Sequence, residues 1–178
     1  PFDEAVRKVA EISNYHDPRL QSERTVVEVD PTKEPLYKAL ADLSSYYQYA
    51  LTISEGQQAR DYLRKRNIPE AQIEKFLLGY APLDGKATIA YLQAKGHSLK
   101  TIEDIGVAFA QLEGTSDRNA GRLIFPLEDP SGKIVGFSAR KLFSGDEAPK
   151  YVNSPETRVF HKGETLYNFS RASSFARH

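Results

Sequence analysis

The 178-residue chain has no cysteine, no methionine and no tryptophan. Without cysteine there is no disulfide framework, no thiolate zinc site and no cysteine nucleophile. No apolar run approaches the roughly 20 residues that span a bilayer. The N-terminus lacks the charged-then-apolar pattern of a signal peptide, so a cytoplasmic setting and no membrane partner are expected. Net charge is missing as well, with 24 Lys and Arg against 24 Asp and Glu. A chain without methionine that opens on Pro1 is expected to be a segment of a longer translated protein.

What is present is globular in character. Hydrophobic residues make up 40% and charged residues 27%, too apolar for a disordered chain. At this length one domain is expected, able to bury roughly 70% of its unfolded surface. The balanced charge conceals a gradient. Residues 1–60 hold ten acidic against seven basic side chains, and residues 115–178 hold ten basic against seven acidic. That tilt directs any polyanion-binding surface toward the C-terminal half.

Helices come first along the chain. Phe2, Ala5, Val6, Val9 and Ile12 predict a short helix over Phe2 to Ser13, and Asn14 to Lys33 reads as a linker. Leu36, Leu40, Leu43, Tyr47 and Ala50 recur every three or four residues, predicting a helix over Glu34 to Thr52. Ser54 with Gln57 fits a capping box for the next helix, with Tyr62 and Leu63 turned inward. A further helix opens at Pro69, with Gly79 suited to its C′ position. Asp84 and Ser98 are expected to cap two more, which end near Gly96 and Gly106.

The pattern then changes to strands. Leu123 to Leu127 and Ile134 to Phe137 flank Glu128-Asp129-Pro130-Ser131-Gly132, a hairpin signature. Ser154-Pro155-Glu156 fits the start of a last short helix. The expected fold class is therefore α+β, N-terminal helices followed by a small antiparallel β-sheet.

Three motifs fall short of a site. Gly79 to Ala87 imitates a phosphate-binding loop, but five residues separate its glycines and Ala87 stands where a hydroxyl must reach Mg²⁺, so Gly85-Lys86 reads as a helix start. Glu113-Gly114-Thr115-Ser116-Asp117 resembles an E-G-x-x-D acidic signature but lacks the D-x-D carboxylates that would complete octahedral coordination, which leaves a polar loop. His16, His97, His161 and His178 share no metal-ligand spacing and are read as structural or exposed. No metal site is expected in this chain.

The informative constellation is basic and aromatic. Arg118, Arg122, Arg140-Lys141, Lys150-Tyr151 and Phe160-His161-Lys162 interleave cations with rings, which suits phosphate neutralisation and base stacking. The stretches GRLIFPLEDPSGKIVGFSARKL (Gly121 to Leu142) and KYVNSPETRVFHKGETLYNF (Lys150 to Phe169) resemble the RNA polymerase domain of bacterial DnaG-type DNA primases. ARDYLRKRNIPEAQIEKFLLGYAP (Ala59 to Pro82) resembles that family's helical stretch, and Pro1 to Ser13 the helix after its zinc ribbon.

The resemblance implies a division of 1–33 as helix and linker after a zinc-binding module, 34–169 as the N-terminal subdomain of the polymerase core, and 170–178 as the approach to a TOPRIM subdomain. It implies Mg²⁺ or Mn²⁺ on TOPRIM and Zn²⁺ on the ribbon of an intact parent, with no cofactor in this segment. It implies that this segment is the template-binding half of an enzyme that makes short RNA primers on single-stranded DNA during replication, inactive alone. Implied partners are the single-stranded DNA template, the RNA–DNA hybrid and ribonucleoside triphosphates, and a replicative helicase through a separate C-terminal domain.

By motif, Arg66, Arg118 and Arg122 would hold template phosphates as guanidiniums able to make bidentate contacts, with Arg140 at the end of the second strand beside them. Lys150 and Lys162 would balance triphosphate charge nearer the catalytic cleft. Tyr151 and Asn153 would orient a nucleotide or shape the loop. Alternatives stand beside these roles: an ion pair of Arg140 with Glu128, and a helix C-terminal role for Arg64-Lys65-Arg66. Ala120 and Leu83-Asp84-Gly85 depart from the family's pattern, which often has Arg and an aromatic there. The alternative function is a replisome interaction module, with Tyr46, Tyr47 and Tyr49 docking a helicase.

Overall fold

The computed structural model describes residues 30–111, 114–142, 148–163 and 165. The chain divides into two units, Pro1–Pro31 and Thr32–His178. The expected helix over Phe2 to Ser13, most of the Asn14 to Lys33 linker and the segment after Phe169 lie outside the described residues. The sheet, its helices and the candidate site all belong to the second unit.

The elements of that unit run α1 (Glu34–Thr52), α2 (Gln57–Lys65), α3 (Glu70–Lys75), β1 (Gly79–Tyr80), α4 (Gly85–Ala94), α5 (Leu99–Asp104), β2 (Ala108–Gln111), β3 (Gly114–Asp117), β4 (Arg122–Glu128), β5 (Ile134–Lys141) and β6 (Tyr151–Asn153). Helices first and an antiparallel sheet after them is the α+β class expected from the residue pattern. Among the described residues no helix is long and apolar enough to cross a membrane.

Helix α1 has the bounds its apolar period predicts. It buries Leu36, Leu40, Leu43 and Tyr47, the stripe that a 3.6-residue turn places on one side. The main sheet has the order β1-β4-β5-β6 and is antiparallel throughout. Ile124, Phe137 and Ala139 join the core formed with α1, and the Tyr47 and Phe137 rings meet edge to face at 5.4 Å. Leu123 joins a second cluster with Ala59, Leu63, Leu78 and Tyr80, against which Tyr62 packs. Pro126 sits in β4 opposite Phe137, beyond the two residues that β1 pairs, so its missing N–H costs no ladder bond.

Side-chain chemistry closes several elements. Asp84 accepts hydrogen bonds from the Lys86 and Ala87 amides and Ser98 from the Thr101 amide, as their sequence positions predict. Gly96 and Gly106 follow those helices at positive φ. Arg60 donates to the Leu51 carbonyl and, at 2.6 Å, to that of Ile53, closing the end of α1. In the β4–β5 turn Asp129 Oδ1 accepts from the Ser131 and Lys133 amides.

Four expectations need correction. Ser54 makes no capping bond; a 3-10 turn, Ser54–Gly56, intervenes before α2. Helix α3 ends at Lys75 with Phe76 as its C-cap, and Leu77 rather than Gly79 is in the left-handed region at φ 53°. Gly79 belongs to β1, where closeness to α1 demands it: a Cβ there would lie 2.6 Å from the Tyr47 Cβ. The helix expected from Ser154 does not form, since Ser154 Oγ accepts from the Phe137 amide and its own N–H donates to the Phe137 carbonyl, both at 2.9 Å. The stretch read as a polar loop, Gly114 to Asp117, is strand β3 of a second hairpin with β2.

Candidate nucleic-acid interface

The register of β4, β5 and β6 decides which side chains share a face. Phe125 pairs with Ser138 and Ser138 with Asn153; Leu123 pairs with Arg140 and Arg140 with Tyr151. Because alternate residues of a strand point the same way, Phe125, Ser138, Arg140, Tyr151 and Asn153 lie on one side, away from α1. A cleft of about 400 Å³ opens there. Phe125, Leu127 and Phe160 supply its apolar lining, and Ser138, Tyr151, Asn153, Lys162 and Thr165 its polar groups.

A row of rings and guanidiniums leads into this cleft. The Arg66 guanidinium lies 5.4 Å from the centre of the Tyr62 ring, and the Arg140 guanidinium lies 4.0 Å from the same ring. Arg140 is also 5.9 Å from the Tyr151 ring, which is 52% exposed. Arg140 donates to the carbonyl of Lys141 at 2.9 Å. No carboxylate among the described residues neutralises Arg66 or Arg140. The alternative ion pair of Arg140 with Glu128 does not form, because they stand at opposite ends of the β4–β5 ladder.

Lys162 is held by its backbone. Its N–H donates to Glu156 Oε1 at 3.0 Å, and this bond, with help from His161 and Lys162, holds the Glu156 carboxyl below its usual range. Thr157 Oγ1 accepts from the Val159 and Phe160 amides. These turns bring Phe160 and Lys162 back to the sheet that Ser154 has just left. Lys150, just before β6, is exposed, and its carbonyl accepts from the Lys141 amide.

The remaining cations differ. Arg122 is half-buried and reaches the carbonyls of Pro149 at 3.0 Å and Ala139 at 3.5 Å; burial pushes its guanidinium below the usual arginine range. It pairs with Lys141 and so lies on the opposite side from Arg140. Arg118 points at the Gly106 carbonyl at 3.4 Å. The structure thus brings together Arg66, Arg140, Tyr151, Asn153 and Lys162 and leaves Arg118, Arg122 and Lys150 outside that row. Tyr62, read from sequence only as an inward residue, links two of the cations. Its spacing of four from Arg66 is the one local signal that points to it.

Other singled-out groups are structural. Asp117, in the acidic look-alike motif, is buried in β3 and hydrogen-bonded to Tyr47. His97 is buried and pairs with Asp42 at 2.8 Å. Of the tyrosines expected to dock a helicase in the alternative reading, Tyr47 is fully buried and Tyr46 stacks on Tyr91 at 4.4 Å. Tyr49 alone of the three is largely exposed, so they form no shared surface. Among the described residues no three His, Asp or Glu converge to hold a metal ion.

The family model described as the N-terminal domain of the DNA primase catalytic core matches residues 46–173. A DNA primase of Pseudomonas putida is 36% identical over 179 residues, covering 99% of this chain and 27% of that protein. The RNA polymerase domain of Mycobacterium tuberculosis primase DnaG superposes with a TM-score of 0.76 at 34% identity, covering 79% of this chain and 46% of that one. A DnaG primase catalytic domain bound to ssDNA gives 0.71 at 32% identity, covering 82% and 45%. The chain spans about a quarter of the length of the curated relative it matches. The cation-lined sheet face described above therefore belongs to a member of the DNA primase family, its sequence matching the N-terminal domain of the catalytic core.

Proposed function

We propose that this chain is the template-binding half of a DNA primase, the enzyme that makes short RNA primers on single-stranded DNA during replication, and that it is inactive by itself. The observation that carries the reading is the continuous row Arg66–Tyr62–Arg140–Tyr151 running into the cleft of Asn153 and Lys162. A single strand offers two things to such a surface. Its phosphates gain from guanidiniums that no carboxylate among the described residues neutralises, with release of counterions. Its bases, unstacked, gain from exposed ring faces.

Within this reading Arg66 and Arg140 hold template phosphates, and Tyr151 and Asn153 orient a base beside them. Lys162 in the cleft and Lys150 just before β6 balance the charge of an entering ribonucleoside triphosphate, where a mobile ammonium suits a moving phosphate. Arg118 and Arg122 keep only part of their donor capacity and act at the margin. Mg²⁺ or Mn²⁺, Zn²⁺ and a helicase contact are assigned to parts of the parent other than these residues. The DnaG catalytic domain bound to ssDNA supports the choice of ligand.

The test is anisotropy of a labelled single-stranded oligonucleotide titrated with the 178-residue protein across salt. Affinity should fall steeply, by about −0.7 in log K per log salt for each phosphate neutralised. Arg140→Gln should flatten that slope by about one phosphate, and Arg122→Gln by less. In the intact parent, Lys150→Ala should cut primer synthesis while the domain melts normally. Salt-independent binding, or none, would end the reading.

A further inference from the structure

We propose that Tyr62 is a positioning residue for template binding, resting on the reading above: its ring holds the Arg66 and Arg140 guanidiniums together as a pair that meets neighbouring phosphates. The two arginines come from different elements, one at the end of α2 and one at the end of β5. The ring is their shared contact, at 5.4 and 4.0 Å.

The pair needs such an intermediary. Two guanidiniums gathered on one ring repel each other, and Arg140 is half-buried, which adds a desolvation cost. Among the described residues its buried Nε has no hydrogen-bond partner, and its Nη1 donates to the carbonyl of the next residue, Lys141. Hydrogen bonding alone therefore leaves the guanidinium plane poorly fixed. The negative face of an aromatic ring attracts both cations and is approached best by a flat, weakly hydrated group. Stacking uses the guanidinium face and leaves edge N–H groups for phosphate oxygens. Tyr62 itself is packed against the Leu63, Leu78 and Tyr80 cluster, so the arginines take their position from a fixed ring. Orientation before binding lowers the ordering cost at the moment of association.

The experiment uses the same 178-residue protein and labelled single strand, with Tyr62→Leu, Tyr62→Phe, Arg140→Lys and the Tyr62→Leu/Arg140→Lys double variant. Far-UV circular dichroism and melting confirm that each is folded. Tyr62→Leu should bind roughly tenfold more weakly, the scale of one lost cation–ring contact. Tyr62→Phe, which keeps the ring, should bind like the wild type. Arg140→Lys keeps the charge but not the flat stack and should lose affinity as Tyr62→Leu does. The double variant should be no weaker than the worse single. A structural readout stands apart from DNA: the Arg140 Nε–H resonance of the free protein should show the ring-current shift in wild type and Tyr62→Phe, and lose it in Tyr62→Leu. If Tyr62→Leu fails to fold, the Tyr62→Phe and Arg140→Lys results decide, with Arg140→Lys at wild-type affinity counting against the proposal. Unimpaired binding by Tyr62→Leu, additive losses or an unmoved Arg140 resonance would overturn it while the template reading stood. No salt-dependent binding by the wild type would remove both.

Discussion

The Tyr47 hydroxyl on α1 donates a 2.6 Å hydrogen bond to Asp117 Oδ2 on β3, joining residues 70 positions apart. Both are fully buried, and Asp117 Oδ1 accepts from the Asn119 amide at 2.8 Å. Desolvation pushes the Asp117 carboxyl up to about 6, against the opposing pull of the Tyr47 and Asn119 bonds. The Tyr47 phenol is held well above its usual range by the same burial, so it remains a donor.

A raised carboxyl binds its proton more tightly in the folded chain than in the unfolded one. Its stabilising contribution is complete at low pH and is lost as pH climbs from about 4 through about 6. Asp117→Asn removes that titration. Measured by urea unfolding, the wild type should lose roughly 2 kcal/mol relative to Asp117→Asn between pH 4 and pH 7. Parallel stability profiles for the two proteins would show that Asp117 does not titrate in this way.

Gly79→Ala should destabilise the protein by about 1–3 kcal/mol. The added Cβ would stand 2.6 Å from the Tyr47 Cβ and 2.8 Å from its carbonyl carbon, so β1 and α1 must separate. The urea midpoint reports the change. A wild-type midpoint would mean that the strand can shift freely.

Ser154→Ala should cost about 1–3 kcal/mol by leaving the buried Phe137 N–H without its acceptor. Hydrogen exchange at the Phe137 amide is the direct measurement: slow in the wild type, faster in the variant. Unchanged protection would show that another acceptor replaces the hydroxyl.

Two hydroxyl or carboxyl positions that look alike in sequence should behave differently. Asp84→Ala removes an N-cap that accepts from two amides and should cost about 1 kcal/mol. Ser54 makes no capping bond, so Ser54→Ala should change stability by less than about 0.5 kcal/mol. Equal losses in thermal melting would contradict the observed cap geometry.

Local pattern sufficed where the determinant lies within a turn or two of the chain. The period of Leu36, Leu40, Leu43 and Tyr47 set α1, Asp84 and Ser98 set helix starts, and Asp129-Pro130-Ser131-Gly132 set the β4–β5 turn. The residue types of the candidate interface were legible too, because guanidiniums, ammoniums and rings declare their chemistry before they are placed.

Tertiary structure decided the rest, and the cause is the same each time: a distant group outcompeted a local one. Phe137 took the Ser154 hydroxyl that a helix start would have used. Tyr47 pressed on Gly79 and made it a strand residue. The polar run Gly114 to Asp117 became a strand because β2 and the Tyr47 hydroxyl satisfied groups that water satisfies in a loop. Which cations share a face was settled by the β4–β5–β6 register, which sends Arg140 to one side and Arg122 to the other. Composition specifies how many positive charges a chain carries, but a strand alternates every residue, so only the pairing partner determines where each one points.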